Sequence, residues 1–566
     1  MKRNILFLSI ISYFFMGTGL TITAQDSNFE MLKQYKEELD DPYKPRNKDE
    51  IVTSPAYKYR GSSVYTIQVN TDEDGDNILF DAANEPSIAI DPLNPDRMLI
   101  GWRQFDDVTS NFRQAGYAYT DDGGETWTSP DPIDAGIFRS DPVLATDNNG
   151  IFYYNSLTKN DQSDYWCDVF RTSPDDFVWD DGVFAQGGDK QWMTIDKSGG
   201  IGDGNIYAFW NASYSICYPG SYTRSTDGGD NYEECDGIPG NPIWGLITVG
   251  PDGEMYTVGA ASNASVVVTK SISSQDPSTT TGWDNYTYVN LSGDLTGWQP
   301  INPAGLLGQA YIDVDRSNGD GRGNVYVLAS VERYDGDPAD VMFARSTNGG
   351  FNWSDPVKVN DDPTTFRYQW FGTMSVAPNG RIDAVWLDTR FAPGTNMFLS
   401  ELFYSYSIDY GNTWSTNEVI SEQFNPHLGW PNQNKMGDYF HMESDNNGAH
   451  LAWANTINGE QDVYYSYINP WFVGMEDFKT NYDFSLISYP NPVQDQTTLR
   501  YTLDNDSEVT LTITDMIGNT FNVFVNQKQN AGTHNFVYNV DNLSPGIYFC
   551  RLLTQNGSQT IKITVL

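Results

Sequence analysis

The sequence predicts an all-β protein in two bodies: a repetitive body of small antiparallel sheets, followed by a compact β-sandwich. Three observations carry this prediction. A turn pattern, Ser/Thr-x-Asp/Asn-x-Gly-x-x-aromatic, occurs four times, at residues 120–127, 225–232, 346–353 and 407–414. Strand-turn-strand segments recur roughly every 50 to 70 residues between Glu85 and Leu451, a spacing typical of repeat architectures. The stretch 484–566 instead alternates apolar and polar residues between closely spaced turn residues, as sandwich strands do. The abundance of Gly (50), Tyr (35) and Trp (16), with no long apolar helical period, agrees with an all-β chain rich in turns.

Each position of the turn pattern has a physical reason. The hydroxyl of Ser346 and the carboxamide of Asn348 can accept from nearby backbone N–H groups, Gly350 permits a positive φ, and Trp353 can pack beneath the turn. The pattern resembles the Asp box, or BNR repeat, of sialidases and their relatives. That resemblance implies a β-propeller between about Asn84 and Trp471, with Asp boxes joining the outer two strands of its blades. Seven strand-turn-strand units are present, four of them with a well-formed box, so a seven-bladed sialidase-like propeller is expected over 63–471, with six blades as the alternative. The strand near Ser63 to Val69 is expected to close the ring on the last blade.

Ahead of this body, Lys2 and Arg3 precede an apolar run from Ile5 to Leu20 and a small-residue site at Ala24, the pattern of a secretory signal peptide over 1–24. No cysteine follows that site, so a lipid anchor is not expected, and no later run could span a bilayer. Residues 25–62 read as a polar leader, with a short helix within 28–39. The acidic turn 72–77 has some character of a calcium loop but lacks its closing bidentate acid; no cofactor is expected, and a structural calcium here is the one metal left open. A formal charge of −42 and a pI near 4.1 repel phosphate backbones and anionic lipids, which argues against nucleic acid or a membrane surface as partner. Cys217 and Cys235 flank the second turn pattern and can face each other across its hairpin; free buried cysteines are the alternative.

After a linker at 472–483, the C-terminal stretch 484–566 carries Tyr489-Pro-Asn-Pro492, Asp515-Met-Ile-Gly518 and Leu543-Ser-Pro-Gly546-Ile-Tyr548 in order. It resembles the C-terminal sorting domain of type IX secretion cargo. This implies the type IX machinery as a partner, and an extracellular or cell-surface location.

A four-stranded unit places its chemistry without any catalytic motif. The turn of the first hairpin and the Asp-box turn lie at one end, whereas residues entering the first strand and leaving the second gather at the other. A pocket is expected at that second end, lined by Arg103, Arg139, Arg333, Arg367 and Arg390 with Asp388 and Asp438. Guanidinium groups bind carboxylates bidentately, so an acidic carbohydrate or glycoprotein glycan is the expected ligand. The competing reading is that these arginines pair with neighbouring acids and only tie loops together. The sialidase resemblance implies a Tyr nucleophile supported by Glu and an Asp acid, roles that fall on Tyr439, Glu332 and Asp106, with Asp107 as the alternative acid. One departure stands out: the Phe/Tyr-Arg-Ile-Pro motif of sialidases is absent, and Asn84-Glu85-Pro86 occupies its place, where a Glu would repel a carboxylate. Three functions follow: a sialidase-like glycoside hydrolase, a non-catalytic glycan-binding or adhesion propeller, and a propeller-type polysaccharide lyase using the Asp438-Tyr439 rim flanked by His427 and His441. No zinc spacing or His/Cys nucleophile pair is present in the sequence.

Overall fold

The computed structural model describes residues 40–46, 51–470 except 62, 262 and 263, and 484–565 except 504, 515–519, 541, 542, 555 and 556. The expected signal peptide, the helix within 28–39 and the linker 472–483 lie outside the described residues. Among the described residues no helix is long and apolar enough to cross a membrane.

Seven antiparallel sheets follow one another along the chain. Their first strands are Ala82–Ile90, Ser140–Thr146, Trp192–Ile195, Ile247–Val249, Tyr311–Val314, Gln369–Val376 and His441–Ser444. Each of these strands packs beside the first strand of the next sheet, and His441–Ser444 packs beside Ala82–Ile90, so the first strands form a closed circuit. From each, the chain runs outward by hairpins, in sequence order. This is a propeller-like arrangement.

In the seventh sheet the outer partner comes from the far end of the chain. Strand Val64–Gln68 pairs antiparallel with Asp462–Ile468, and Lys58–Arg60 adds outside it. The stretch read as leader is thus partly built into the ring. Asp40 reaches the first two sheets through ion pairs with Arg113 and Lys159.

The four Asp boxes follow the third strands of their sheets, leading into a fourth strand in the fifth and sixth, and cap themselves with one repeated set of bonds. At the third box, Ser346 Oγ donates to Asn348 Oδ1 (3.0 Å) and accepts from Gly350 N–H (2.9 Å), while Asn348 Oδ1 accepts from Asn352 N–H (2.9 Å). Equivalent bonds are made by Thr120 and Asp122, Ser225 and Asp227, and Ser407 and Asp409. Cys217 and Cys235 form a disulfide beside the second box, and Cys167 and Cys550 are buried.

Because each sheet is covered on both faces, central strands such as Ile382–Asp388 are buried at every position. The core lies between sheets: Trp102, Ile88 and Ile100 meet Val463 and Tyr465 of the seventh sheet, while Leu99 and Ala89 meet Leu144, Phe152 and Tyr154 of the second. The C-terminal body is different. Its two sheets, ordered Phe484–Tyr489, Gln496–Leu503, Gly532–Asn539 and Thr520–Gln529, Ser507–Thr514, Gly546–Thr554, Gly557–Val565, enclose Leu499, Tyr501, Leu511, Ile513 and Leu552. Only one face of each sheet is buried there, so burial alternates along Gln496–Leu503.

Candidate functional site at the mouth of the ring

At the end of the ring opposite the Asp boxes, the backbone leaves regular strand geometry at corresponding places. Glu85, Asp141, Lys190, Trp244 and Phe371 all have φ between 48° and 61°, each the same number of residues before the first-hairpin turn of its sheet. Gly308 and Gly437 take positive φ near the same point of the fifth and seventh sheets. Ladder shifts accompany three of them, between Asn84 and Ser87, Ser140 and Val143, and Trp370 and Thr373. A bulge of this kind re-aims side chains, and left-handed backbone at bulky residues carries a cost of roughly 1–3 kcal/mol each. Such strain is held only where surrounding contacts over-determine it.

Those contacts are an ion cluster. Glu85 meets Arg103 Nε at 3.2 Å and Lys435 Nζ at 3.1 Å; Lys435 also meets Asp438 at 2.7 Å, and Lys190 bridges Asp438 and Asp141. Arg103 is oriented further by Asn84 Oδ1, which accepts from its Nε at 2.8 Å. Three basic and three acidic groups from the first, second, third and seventh sheets are thus buried together. Burial pushes the Glu85 carboxyl up to about 7, with Arg103 and Lys435 opposing only in part. For Asp141 and Asp438 burial acts the same way but is outweighed, by Lys190 and Arg103 and by Lys190 and Lys435 respectively, so both are held well below the usual carboxylate range. Glu85 is thus the acid of this cluster that takes up a proton most readily.

A cavity of about 50 Å³ opens over this cluster, lined by Arg103, Lys190, Lys435 and Asp438 below and by Tyr214, Trp244 and Trp298 at its wall. The two tryptophans meet edge to face at 5.8 Å, and both have left-handed backbone, with φ of 61° and 58°. Arg103 Nη2 is buried with no hydrogen-bond partner. The cavity is small because two insertions cross the mouth and hold each other. Asn302 bonds Met436 N–H and the Gly437 carbonyl, Ala304 N–H donates to Asn434 O, and Leu306 N–H donates to Asp438 Oδ1.

The residues expected from sequence are distributed unevenly. Arg103 and Asp438 belong to the cluster. Tyr439 is buried beside it, its hydroxyl donating to Pro142 O at 2.9 Å and its pKa raised by burial. Asp106 is held elsewhere, accepting from Gln104 and Gln114, and Glu332 lies on a separate cavity with Arg333. The three proposed catalytic groups are therefore not brought together. The remaining arginines have partners: Arg139 pairs with Asp134 and Asp168, Arg333 with Asp340, and Arg390 with Asp388 and Asp361, while Arg367 donates to Ala392 O. Lys435, Trp244 and Trp298 complete the site without having been singled out from sequence. Lys435 carried a weak signal as a lone base three residues before Asp438; the tryptophans lie outside the repeating strands. In the acidic turn at 72–77, Asp72 Oδ1 accepts from the N–H groups of Asp74 and Asp76. Among the described residues no three acidic, His or Cys side chains converge as a metal site.

Residues 488–566 match the secretion system C-terminal sorting domain. This C-terminal sorting domain indicates secretion to the cell surface or beyond. No curated protein matches the chain. Among solved structures the chain is similar to a protein of unknown function from Dyadobacter fermentans DSM 18053, with 13% identity, 72% of this chain and 98% of that chain covered, and a TM-score of 0.39. It is also similar to a Hadza microbial sialidase (11% identity, 66% and 77% covered, TM-score 0.35) and to an ulvan lyase (11% identity, 69% and 94% covered, TM-score 0.37). Similarity this distant carries no argument about activity.

Proposed function

We propose that the ring is a seven-bladed propeller, one sheet to a blade, and that it binds an acidic glycan at its mouth as a secreted glycan-binding or adhesion module. The observation that supports this most is the buried, unpartnered Nη2 of Arg103. It belongs to a group that lines the same cavity as Lys190 and Lys435, against a wall of Trp244, Trp298 and Tyr214. Guanidinium and ammonium groups suit a sugar carboxylate, and aromatic faces suit the apolar face of a sugar ring. The lining carries four bases, Arg103, Arg113, Lys190 and Lys435, against three acids, Asp141, Asp189 and Asp438, in a chain whose net charge is −42.

A hydrolytic reading has one observation of its own. Glu85, pushed up to about 7, stands beside Asp141 and Asp438, which stay ionised, the split expected of an acid and a base. The sialidase-like assignment to Asp106, Glu332 and Tyr439 has no such support. A lyase reading would need Tyr439 and His441, whose hydroxyl and Nδ1 are already engaged with Pro142 O and Ile88 N–H.

A panel of sialosides and uronic-acid polymers separates the three. Binding without turnover is expected; a released sugar acid would replace this reading with the hydrolase, and absorbance of an unsaturated uronate would replace it with the lyase. Deleting residues 484–566 is expected to abolish release from the producing cell while leaving the ring folded.

A further inference from the structure

The mouth cavity, at about 50 Å³, admits a carboxylate and a water or two but no whole sugar ring. A ring bonded through its carboxylate must therefore rest outside, on the aromatic wall. Trp298 of that wall also lines a second cavity, of about 300 Å³, bounded by Asp294, Gln299, Glu332, Arg333 and Tyr334. Trp298 is thus shared by the linings of both cavities. Resting on the mouth reading above, we propose that this second cavity is a subsite for a neutral sugar, so that the ligand is an internal stretch of a polysaccharide in which an acidic unit is followed by a neutral one.

The lining has the chemistry of a built subsite. The insertion that carries Trp298 is fixed by a ladder pairing Gly293 with Arg333 and Asp294 with Glu332. Trp298 keeps its left-handed backbone through a bond from its N–H to Gly305 O at 2.7 Å. At the outer rim Tyr334 is 68% exposed, yet it is not loose: its hydroxyl donates to Asp294 Oδ1 at 3.0 Å, which presents the ring as a platform. Gln299 Nε2 donates to Glu332 Oε2 at 2.8 Å, leaving other oxygens of Asp294 and Glu332 to accept from sugar hydroxyls.

Charge selects the occupant. Asp294 and Glu332 outnumber Arg333 in the charged lining, and Arg333 also meets Asp340 at 3.4 Å and Leu291 O, so a second carboxylate is disfavoured there. The mouth favours an anion, and the neighbouring subsite favours a neutral ring.

Calorimetric titrations test this with glucuronic acid, with tetrasaccharides that alternate a uronate and a neutral sugar, and with tetragalacturonate. The alternating tetrasaccharides are expected to bind at least about tenfold tighter than the monosaccharide and tighter than tetragalacturonate. Tyr334→Ala should remove that tenfold gain and leave glucuronic acid binding unchanged; Tyr334→Phe, which keeps the ring but loses the bond to Asp294 that orients it, should retain part of the gain. Melting curves of both variants establish that they fold. Affinity independent of chain length, or equal for tetragalacturonate, overturns the subsite; if glucuronic acid still binds and is lost in Trp244→Ala, the mouth reading survives that result. Failure of every acidic sugar to bind overturns both.

Discussion

The two ends of the ring are built on opposite principles. At the Asp-box end each box caps itself within eight residues of sequence, as in the run from Ser346 to Trp353, through its own hydroxyl and its own Asp or Asn side chain. At the mouth, groups far apart in sequence neutralise each other out of solvent: Lys435 meets Glu85 across 350 positions and Lys190 meets Asp438 across 248. Local capping makes a turn that tolerates loss; a buried charge network makes each member depend on the others. The same protein thus confines its fragility to the end where a ligand can be held.

The sharpest test of this difference removes one buried charge. Lys435→Met leaves Glu85 and Asp438 facing each other without their shared cation and is expected to cost about 3–5 kcal/mol, read from melting or denaturant curves. Arg390→Ala comes next, at about 2–3 kcal/mol, because Asp388 loses its guanidinium but keeps the Trp386 indole N–H at 2.9 Å. Its affinity for acidic glycan should be unchanged, since Arg390 is held by Asp388 and Asp361; a large loss of affinity with unchanged melting would return it to the binding site.

The pH dependence is third. Burial raises Glu85 and Asp462 to about 7 and Glu401 to about 8. Each keeps its proton in the folded state after the unfolded chain has lost it, so stability is greatest near the unfolded pKa values and falls as pH rises through the folded ones. Between about pH 5 and pH 8 a loss on the order of 2 kcal/mol is expected from Glu85 alone, and Glu85→Gln should flatten the profile. A melting temperature that rises over this range would contradict the assignment. The smallest effect belongs to the other end: Ser346→Ala should cost about 1 kcal/mol and leave glycan binding untouched. If it cost as much as Lys435→Met, the contrast between the ends would fail.

This contrast also governs what could be read in the sequence. The Asp boxes were legible because Ser346, Asn348 and Gly350 make their bonds to one another. The sandwich was legible because Gln496–Leu503 exposes one face, so its pattern alternates; Ile382–Asp388, covered on both faces, lacks that period and was found through its flanking turns. The rule for entering and leaving strands brought Arg103 and Asp438 to the mouth, since hairpin geometry is local. It could not say that Arg390 would turn to Asp388, or that Lys435 would reach Glu85. The second outcome depends on the insertions carrying Asn302 and Met436, whose paths are set by bonds between residues more than a hundred positions apart. Trp244 and Trp298 escaped for the same reason.

The pairing of Val64–Gln68 with Asp462–Ile468 has a consequence for the order of events in biogenesis. Thr66 and Ser466 share a hydroxyl bond across 400 positions, so the N-terminal hairpin of the ring waits for the last strand. Closing so long a loop costs about 5 kcal/mol in chain entropy, recovered only when the final sheet forms. Until Ile468 has been made, Val64–Gln68 remains an unpaired edge able to join a wrong neighbour. Assembly of this ring therefore has a fixed finishing line, and any factor that shields the early strand during synthesis would raise the yield of closed protein more than it would raise the rate at which individual sheets form.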